Sequence, residues 1–285
     1  MFGQATFTST HAEVRLDVQV MRGKRVLADL RLEDFVVTDE STTVVPTYFG
    51  REAEPLSLVL LLDVSGSMRR FVAEMSTAVS IALRALRAGD RVAVVAYGRR
   101  SQVQLEFSGD LREVAAAVRS AALRNDTGAG TSTNEAVLAA ARLLAGDSGS
   151  RRRAILVVTD NGGVNEGVPD EQVIRELGGV VLNAIVVGKG ERSRGASVNP
   201  FYTSTDVFAL AEATGGEVVR AGSKADGVLS GMLERIRARY ALAYSLPMDA
   251  KPGVYRNVRM MVAKGDVVRV RKGYYAPAAL AAPAP

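Results

Sequence analysis

A doubly wound α/β fold, its mostly parallel sheet flanked by helices and joined to a small β-sandwich made from the two terminal segments, is what this 285-residue sequence predicts. Three observations carry the prediction. Apolar, branched-aliphatic runs at 58–62, 154–158 and 180–187 have the length and composition of strands buried on both faces, the mark of a parallel sheet covered by helices. Segments with helical apolar spacing alternate with these runs, so consecutive strands are parallel and joined by right-handed crossovers. The ends of the chain change period: Glu13-Val-Arg-Leu-Asp-Val-Gln-Val20 alternates strictly, and 240–246, 255–263 and 267–271 repeat that style.

Taken in order, the N-terminal part contains the alternating strand at 13–20, a Gly23-Lys24 turn, and short strands at 35–38 and 43–49. The strand at 58–63 follows, then a helix over 71–86 that stops before Gly89. A strand at 91–97, a short one at 103–107, a helix over 111–123, a glycine-rich loop through Thr131 and a helix over 134–144 come next. After the strand ending at Asp160 we expect a helix near 171–177, a strand at 180–187 and an irregular polar loop to about residue 203 that contains Ser193, Arg194 and Asn199. A helix at 206–214 closed by Gly215-Gly216, an edge strand at 217–220 and a helix from about 225 to 239 complete the α/β part. Neither terminal set of strands is large enough to bury a core alone. We therefore expect residues 1–52 and 240–277 to pair into one sandwich around an α/β domain at 53–239, leaving 278–285 as a tail.

Composition excludes several chemistries. With no cysteine there can be no disulfide, thiolate zinc site or cysteine nucleophile. The net charge of +5 raises the question of nucleic acid, but the basic residues are scattered apart from Arg151-Arg-Arg153 and Arg99-Arg100, and no aromatic-studded basic module accompanies them. They read as solvated surface, and nucleic-acid binding is not expected. No apolar stretch is long enough to span a bilayer. Met1-Phe-Gly-Gln-Ala lacks the basic start and apolar centre of an export leader, which reads as either a cytosolic chain or one whose leader has been removed. Oligomeric state is not legible.

The most informative residues sit where the first buried strand ends. Asp63, Ser65 and Ser67 alternate, so a tight strand-to-helix turn can face their oxygens to one side, with Gly66 supplying backbone freedom. The carboxyl edge of an open α/β sheet is where ligands collect. Oxygen donors with few carboxylates and several hydroxyls favour a hard, compact cation: Mg²⁺ ahead of Ca²⁺, with Mn²⁺ also admissible. Two further segments, Gly128-Ala-Gly130-Thr131-Ser132-Thr133-Asn134 and the strand ending Thr159-Asp160-Asn161, should bring their ends beside Asp63.

In that order the three segments make an Asp-x-Ser-x-Ser, Thr, Asp constellation, and the chain here resembles the von Willebrand factor type A domain with its metal-ion-dependent adhesion site. The resemblance implies that Ser65, Ser67 and either Thr131 or its bound water coordinate the metal, with Asp63 and Asp160 close behind and acting through waters. It also implies that an Asp or Glu carboxylate of a partner protein completes the ion's shell. Asn161 departs from the family's usual glycine, and because asparagine tolerates left-handed backbone we expect a local adjustment there. Beyond the site, Leu32-Glu-Asp-Phe35, the Leu210-to-Gly216 segment and Arg269-Val-Arg-Lys-Gly-Tyr-Tyr275 look like the bacterial VWFA-related family typical of acidobacteria, whose members are often exported.

Rival readings are an enzyme and a metal-free scaffold. Gly146-Asp-Ser-Gly149 mimics a serine-protease nucleophile segment, yet the sole histidine, His11, lies in the alternating N-terminal region and no relay is expected. A Mg²⁺-dependent hydrolase of the strand-aspartate type needs a second acid two positions after the first, where this chain has Ser65. Tyr274 and Tyr275 read as core or rim of the sandwich. Met68 and Arg69 read as a helix start that either touches a partner or is an ordinary cap.

Overall fold

In a computed structural model that describes residues 12–51, 54–124, 126–128, 130–147, 152–162, 164–166, 168–188, 202–204, 206–222, 227–263 and 265–277, the Leu56–Asp63 strand lies inside a six-stranded sheet. The strand order is Val218–Ala221, Val181–Val187, Arg152–Thr159, Leu56–Asp63, Arg91–Tyr97 and Ser101–Ser108. Every neighbouring pair is parallel except the last, a hairpin whose register shifts around Val94. All eight residues of Leu56–Asp63 are buried because alternate side chains enter two different cores. Leu58, Leu60 and Leu62 join the Arg69–Ala82, Leu111–Ala122 and Val228–Arg237 helices, whereas Val59 and Leu61 meet Thr133–Gly146, Asp170–Leu177 and Val207–Thr214. The doubly wound fold is thus present.

Helix ends follow local chemistry. Asp110 and Asp206 accept hydrogen bonds from the amides of Arg112 and Phe208, 2.8 and 3.0 Å away, and so start their helices. Gly215 ends the Val207–Thr214 helix in the left-handed region at φ 76°. Gly216 follows with no room to spare, because a Cβ there would collide with the Leu182 carbonyl oxygen. Gly216→Ala is expected to cost at least about 1–3 kcal/mol by forcing the edge strand away from Val181–Val187; urea unfolding measures this as a lower midpoint, and an unchanged midpoint would contradict the packing.

The terminal strands form two facing sheets. One runs Val267–Arg269, Glu13–Arg22, Tyr240–Ser245, Tyr48–Arg51, with Arg25–Val26 added to Glu13–Arg22; the other runs Gly273–Tyr275, Tyr255–Val262, Phe35–Asp39, Thr42–Val44. Both therefore mix strands from opposite ends of the chain, and Val14, Leu16, Val37, Tyr240, Leu242 and Val258 fill the space between them. Buried Asp39 accepts from the hydroxyls of Tyr244 and Tyr274 at 2.8 and 2.7 Å and from Arg256 Nε at 2.7 Å. Burial and the Asp39 carboxylate push both phenols up. Tyr274 is core, while Tyr275 is only partly covered.

Where the sandwich meets the α/β part, Asp17 is held by two guanidiniums. Arg152 reaches it at 2.8 Å, and Arg239 donates to it from the other side. Arg152 also donates to the carbonyls of Ile236 and Arg237 at 3.0 and 3.3 Å, and Arg239 to those of Gly215 and Asp17 at 2.6 and 2.9 Å. The solvated-surface reading of the basic residues is corrected here. Arg152, Arg237 and Arg239 are buried at this junction, where backbone carbonyls and carboxylates accept from desolvated guanidiniums, and Arg256 is buried inside the sandwich against Asp39.

Other differences are local. The first α/β helix is Arg69–Ala82, followed by a 3-10 turn at Leu83–Ala85. At the end of the expected irregular loop, Tyr202–Ser204 is a short strand paired antiparallel with Val164–Glu166. Ser193, Arg194 and Asn199 of that loop, the Ala225 helix start, His11, Ser148 and Gly149 lie outside the described residues. Among the described residues, no helix is long and apolar enough to cross a membrane.

Candidate functional site

Parallel pairing places the ends of three strands side by side. Asp63 stands opposite Tyr97 in the Arg91–Tyr97 strand, and Leu62 opposite Val158 in Arg152–Thr159, so Thr159 and Asp160 flank Asp63 on its other side. The Asp63 carboxylate is fully buried. One of its oxygens accepts from the Ser65 amide at 3.0 Å, and the other accepts from the Thr159 hydroxyl at 2.8 Å. The Asp63–Ser65 bond closes the turn after the strand, and the Ser65 carbonyl then accepts from the amides of Met68 and Arg69 at 3.0 and 3.1 Å to open the helix. This turn leaves the hydroxyls of Ser65 and Ser67 3.4 Å apart, the first partly buried and the second exposed. Met68, by contrast, is buried and anchors the helix start.

The Thr131 loop is tied to the same edge through its backbone. Gly98, just past the Arg91–Tyr97 strand, accepts from the Ser132 amide at 2.8 Å, and Arg100 donates to the Thr127 carbonyl at 2.9 Å. A Cβ at Gly98 would press on the Thr127 hydroxyl at 2.7 Å, so this close approach requires glycine. Thr131 is partly exposed, and the buried Thr133 lies 3.5 Å from the Tyr97 hydroxyl. Asp160 is partly exposed, and one of its oxygens accepts from the Gly162 amide at 3.0 Å. Asn161 adopts φ 58°, the left-handed adjustment expected of an asparagine in glycine's place. Its side-chain carbonyl accepts from the Val207 amide at 3.2 Å and so links the loop to the start of the Val207–Thr214 helix.

Electrostatically the edge is short of positive charge. Burial pushes the Asp63 carboxyl above its usual value, its hydrogen bonds with Ser65 and Thr159 oppose that rise, and the neighbouring Asp160 charge adds to it. Burial followed by the Asp63 charge pushes the Tyr97 phenol well up. Among the described residues, neither Asp63 nor Asp160 pairs with a basic side chain. None of them forms a cluster of three His, Cys, Asp or Glu side chains either, so a cation here would rely on hydroxyls as well as the two acids. An uncompensated buried carboxylate beside a second acid and several hydroxyls is a donor set that fits a hard divalent ion.

Thr159, Tyr97, Thr133 and Gly98 support this edge and were not picked out from sequence. Thr159 was findable as the polar residue that closes the apolar run from Ala154 to Val158, next to an acid. Tyr97 and Gly98 acquire meaning only from strand register. In the protease-like segment, Asp147 accepts from Ser57 and from Arg91.

Residues 58–163 match the family model for the von Willebrand factor type A domain. No curated protein matches the chain. Among solved structures it is similar to the conserved hypothetical protein BatB from Bacteroides thetaiotaomicron, with 19% identity, a TM-score of 0.49, and 64% of this chain and 97% of that one covered. It is also similar to a von Willebrand factor type A protein from Catenulispora acidiphila, with 14% identity, a TM-score of 0.48, and coverage of 92% and 72%. A third is proximal thread matrix protein 1 from the mussel byssus, whose structure has a zinc-occupied MIDAS motif, with 16% identity, a TM-score of 0.47, and coverage of 70% and 50%.

Proposed function

The chain carries a von Willebrand factor type A domain over residues 58–163, and from that premise we propose that it is a metal-dependent protein-binding module, serving adhesion or assembly, and not an enzyme. Ser65, Ser67 and Thr131 would hold a Mg²⁺ ion, with Asp63 and Asp160 behind them. The ion supplies a positive centre that attracts an Asp or Glu carboxylate from a partner protein. The chain's own residues hold the hydroxyls in place, keep the Asp63 charge out of water and leave Ser67 exposed for approach.

The observation that carries the reading is Asp63 itself: a fully buried carboxylate, next to Asp160, without a basic partner among the described residues. Such a charge is costly alone and favourable beside a cation. Against hydrolysis, position 65 offers a hydroxyl in place of a proton-donating acid, and its amide is already donated to Asp63.

Calorimetric titration with Mg²⁺ is expected to show a single site. Proteins retained by the immobilised chain in Mg²⁺ are expected to elute with EDTA. Retention that survives EDTA would overturn the reading.

A further inference from the structure

At the opposite edge of the sheet from Asp63, a cavity of about 510 Å³ opens between the sandwich and the α/β part. Its wall includes Arg153 at the start of the Arg152–Thr159 strand, whose eight residues at ~3.3 Å each put it roughly 25 Å from the candidate metal edge. The volume lies within the range of small-molecule sites.

Three guanidiniums line this cavity without a carboxylate partner among the described residues: Arg153, Arg175 and Arg271. Arg271 is the most telling. It is partly buried, its Nε donates to the Gly273 carbonyl at 2.7 Å, and its Cζ lies 5.7 Å from the centre of the Tyr274 ring. Its terminal nitrogens have no protein acceptor among the described residues. Burial lowers its affinity for its proton, and only nearby tyrosines oppose that effect. A guanidinium stays charged in proteins, so this one is left with unused donors facing a void. Arg175 stacks on Tyr275 at 4.6 Å, and Tyr275 meets Tyr255 edge-on at 5.0 Å.

The acids of the wall do not neutralise these three cations. Asp17 is taken by Arg152 and Arg239, and Glu54 by Arg15 at 2.7 Å. Glu13 and Glu176 are exposed on the rim. Ile174, Leu177 and Val180 add an apolar surface beside the tyrosines. Forked donors next to aromatic faces and an aliphatic floor suit a flat apolar group bearing an anionic oxygen cluster.

We propose that this cavity is a second binding site, independent of the metal edge, for a small organic anion: an aromatic or similarly flat body carrying a carboxylate or phosphate, gripped by Arg271 and Arg175 and covered by Tyr255 and Tyr275.

The test is calorimetric titration of the full chain, in EDTA, with phenyl phosphate, benzoate, inorganic phosphate and phenol. Phenyl phosphate or benzoate is expected to bind at least tenfold more tightly than inorganic phosphate or phenol, and which of the two binds tells phosphate from carboxylate. Arg175→Gln, an exposed change that leaves folding alone, is expected to weaken binding about tenfold, and Arg271→Gln more. Asp63→Asn is expected to leave it unchanged, which separates this site from the metal reading. Absence of binding by both aromatic anions, equal binding of inorganic phosphate, or full binding by the folded Arg175→Gln protein would overturn the proposal.

Discussion

Asp63→Asn is expected to make the protein insensitive to Mg²⁺ while leaving it folded, and in EDTA to melt no lower than the wild type. The two halves of this result have separate causes. With metal at a hundredfold its dissociation constant, binding stabilises the wild type by about 2.7 kcal/mol. The asparagine, lacking the charge that makes the ion favourable there, is expected to lose all of that gain. Without metal, the wild type must keep a buried carboxylate that burial and the Asp160 charge both disfavour. Asparagine removes that burden, while its carbonyl oxygen still accepts from the Ser65 amide and its amide can donate to the Thr159 hydroxyl. Calorimetric melting of both proteins in Mg²⁺ and in EDTA measures the effect. A variant that retained the Mg²⁺-induced rise would place the ion elsewhere.

Asp17→Ala is expected to be the most destabilising of the changes considered, by about 3–5 kcal/mol, because it leaves two buried guanidiniums facing each other without their shared carboxylate. Arg239 is 1% exposed and Arg152 4% exposed at the side chain, so neither can turn to water for compensation. The same cluster predicts an acid dependence. Burial pushes the Asp17 carboxyl up, but Arg152 and Arg239 together hold it below its ordinary value of 3.8. A depressed acid contributes stability that is complete above the unfolded-state value and lost as pH falls through the lower folded-state value. The wild type is therefore expected to lose this contribution only below about pH 4, where Asp17→Ala, having nothing left to lose, shows a flatter profile. Urea unfolding at pH 7 and pH 3 tests both statements; an Asp17→Ala protein as stable as the wild type at pH 7 would show that the junction is held by packing alone. The change sits at the far edge of the sheet from Asp63, so Mg²⁺ binding by the folded variant is expected to persist.

Much of the architecture was written locally. Leu58 to Leu62 read as a strand covered on both sides and the alternation from Glu13 as a half-covered one, because the two periods put side chains on different numbers of buried faces; the second reading holds from Glu13 to Leu16, while from Val18 to Met21 the junction covers both faces. The positions of Asp63, Ser65 and Ser67 were legible for the same reason: a carboxylate at the end of such a run has to lie on the sheet's carboxyl edge. The Val164–Glu166 and Tyr202–Ser204 pair was not legible, since three residues carry no period and their pairing spans a long separation in sequence. The roles of Arg152 and Arg239 were hidden too, because a basic residue in sequence looks the same whether water or a buried aspartate receives it.

The sequence by itself determined the alternation of strands and helices, the mixing of both ends of the chain into one sandwich, and the oxygen-rich composition of one sheet edge, since all three follow from residue type and spacing. Only the tertiary structure decided what each charge faces. It set Asp63 beside Thr159 and Asp160 with no cation from the described residues, gave Asp17 two guanidiniums, and left Arg271 facing a cavity. The reason is physical: hydrophobic periodicity is a short-range signal that survives in any context, whereas the energy of a charge depends on its surroundings, and those are assembled from segments far apart in the chain.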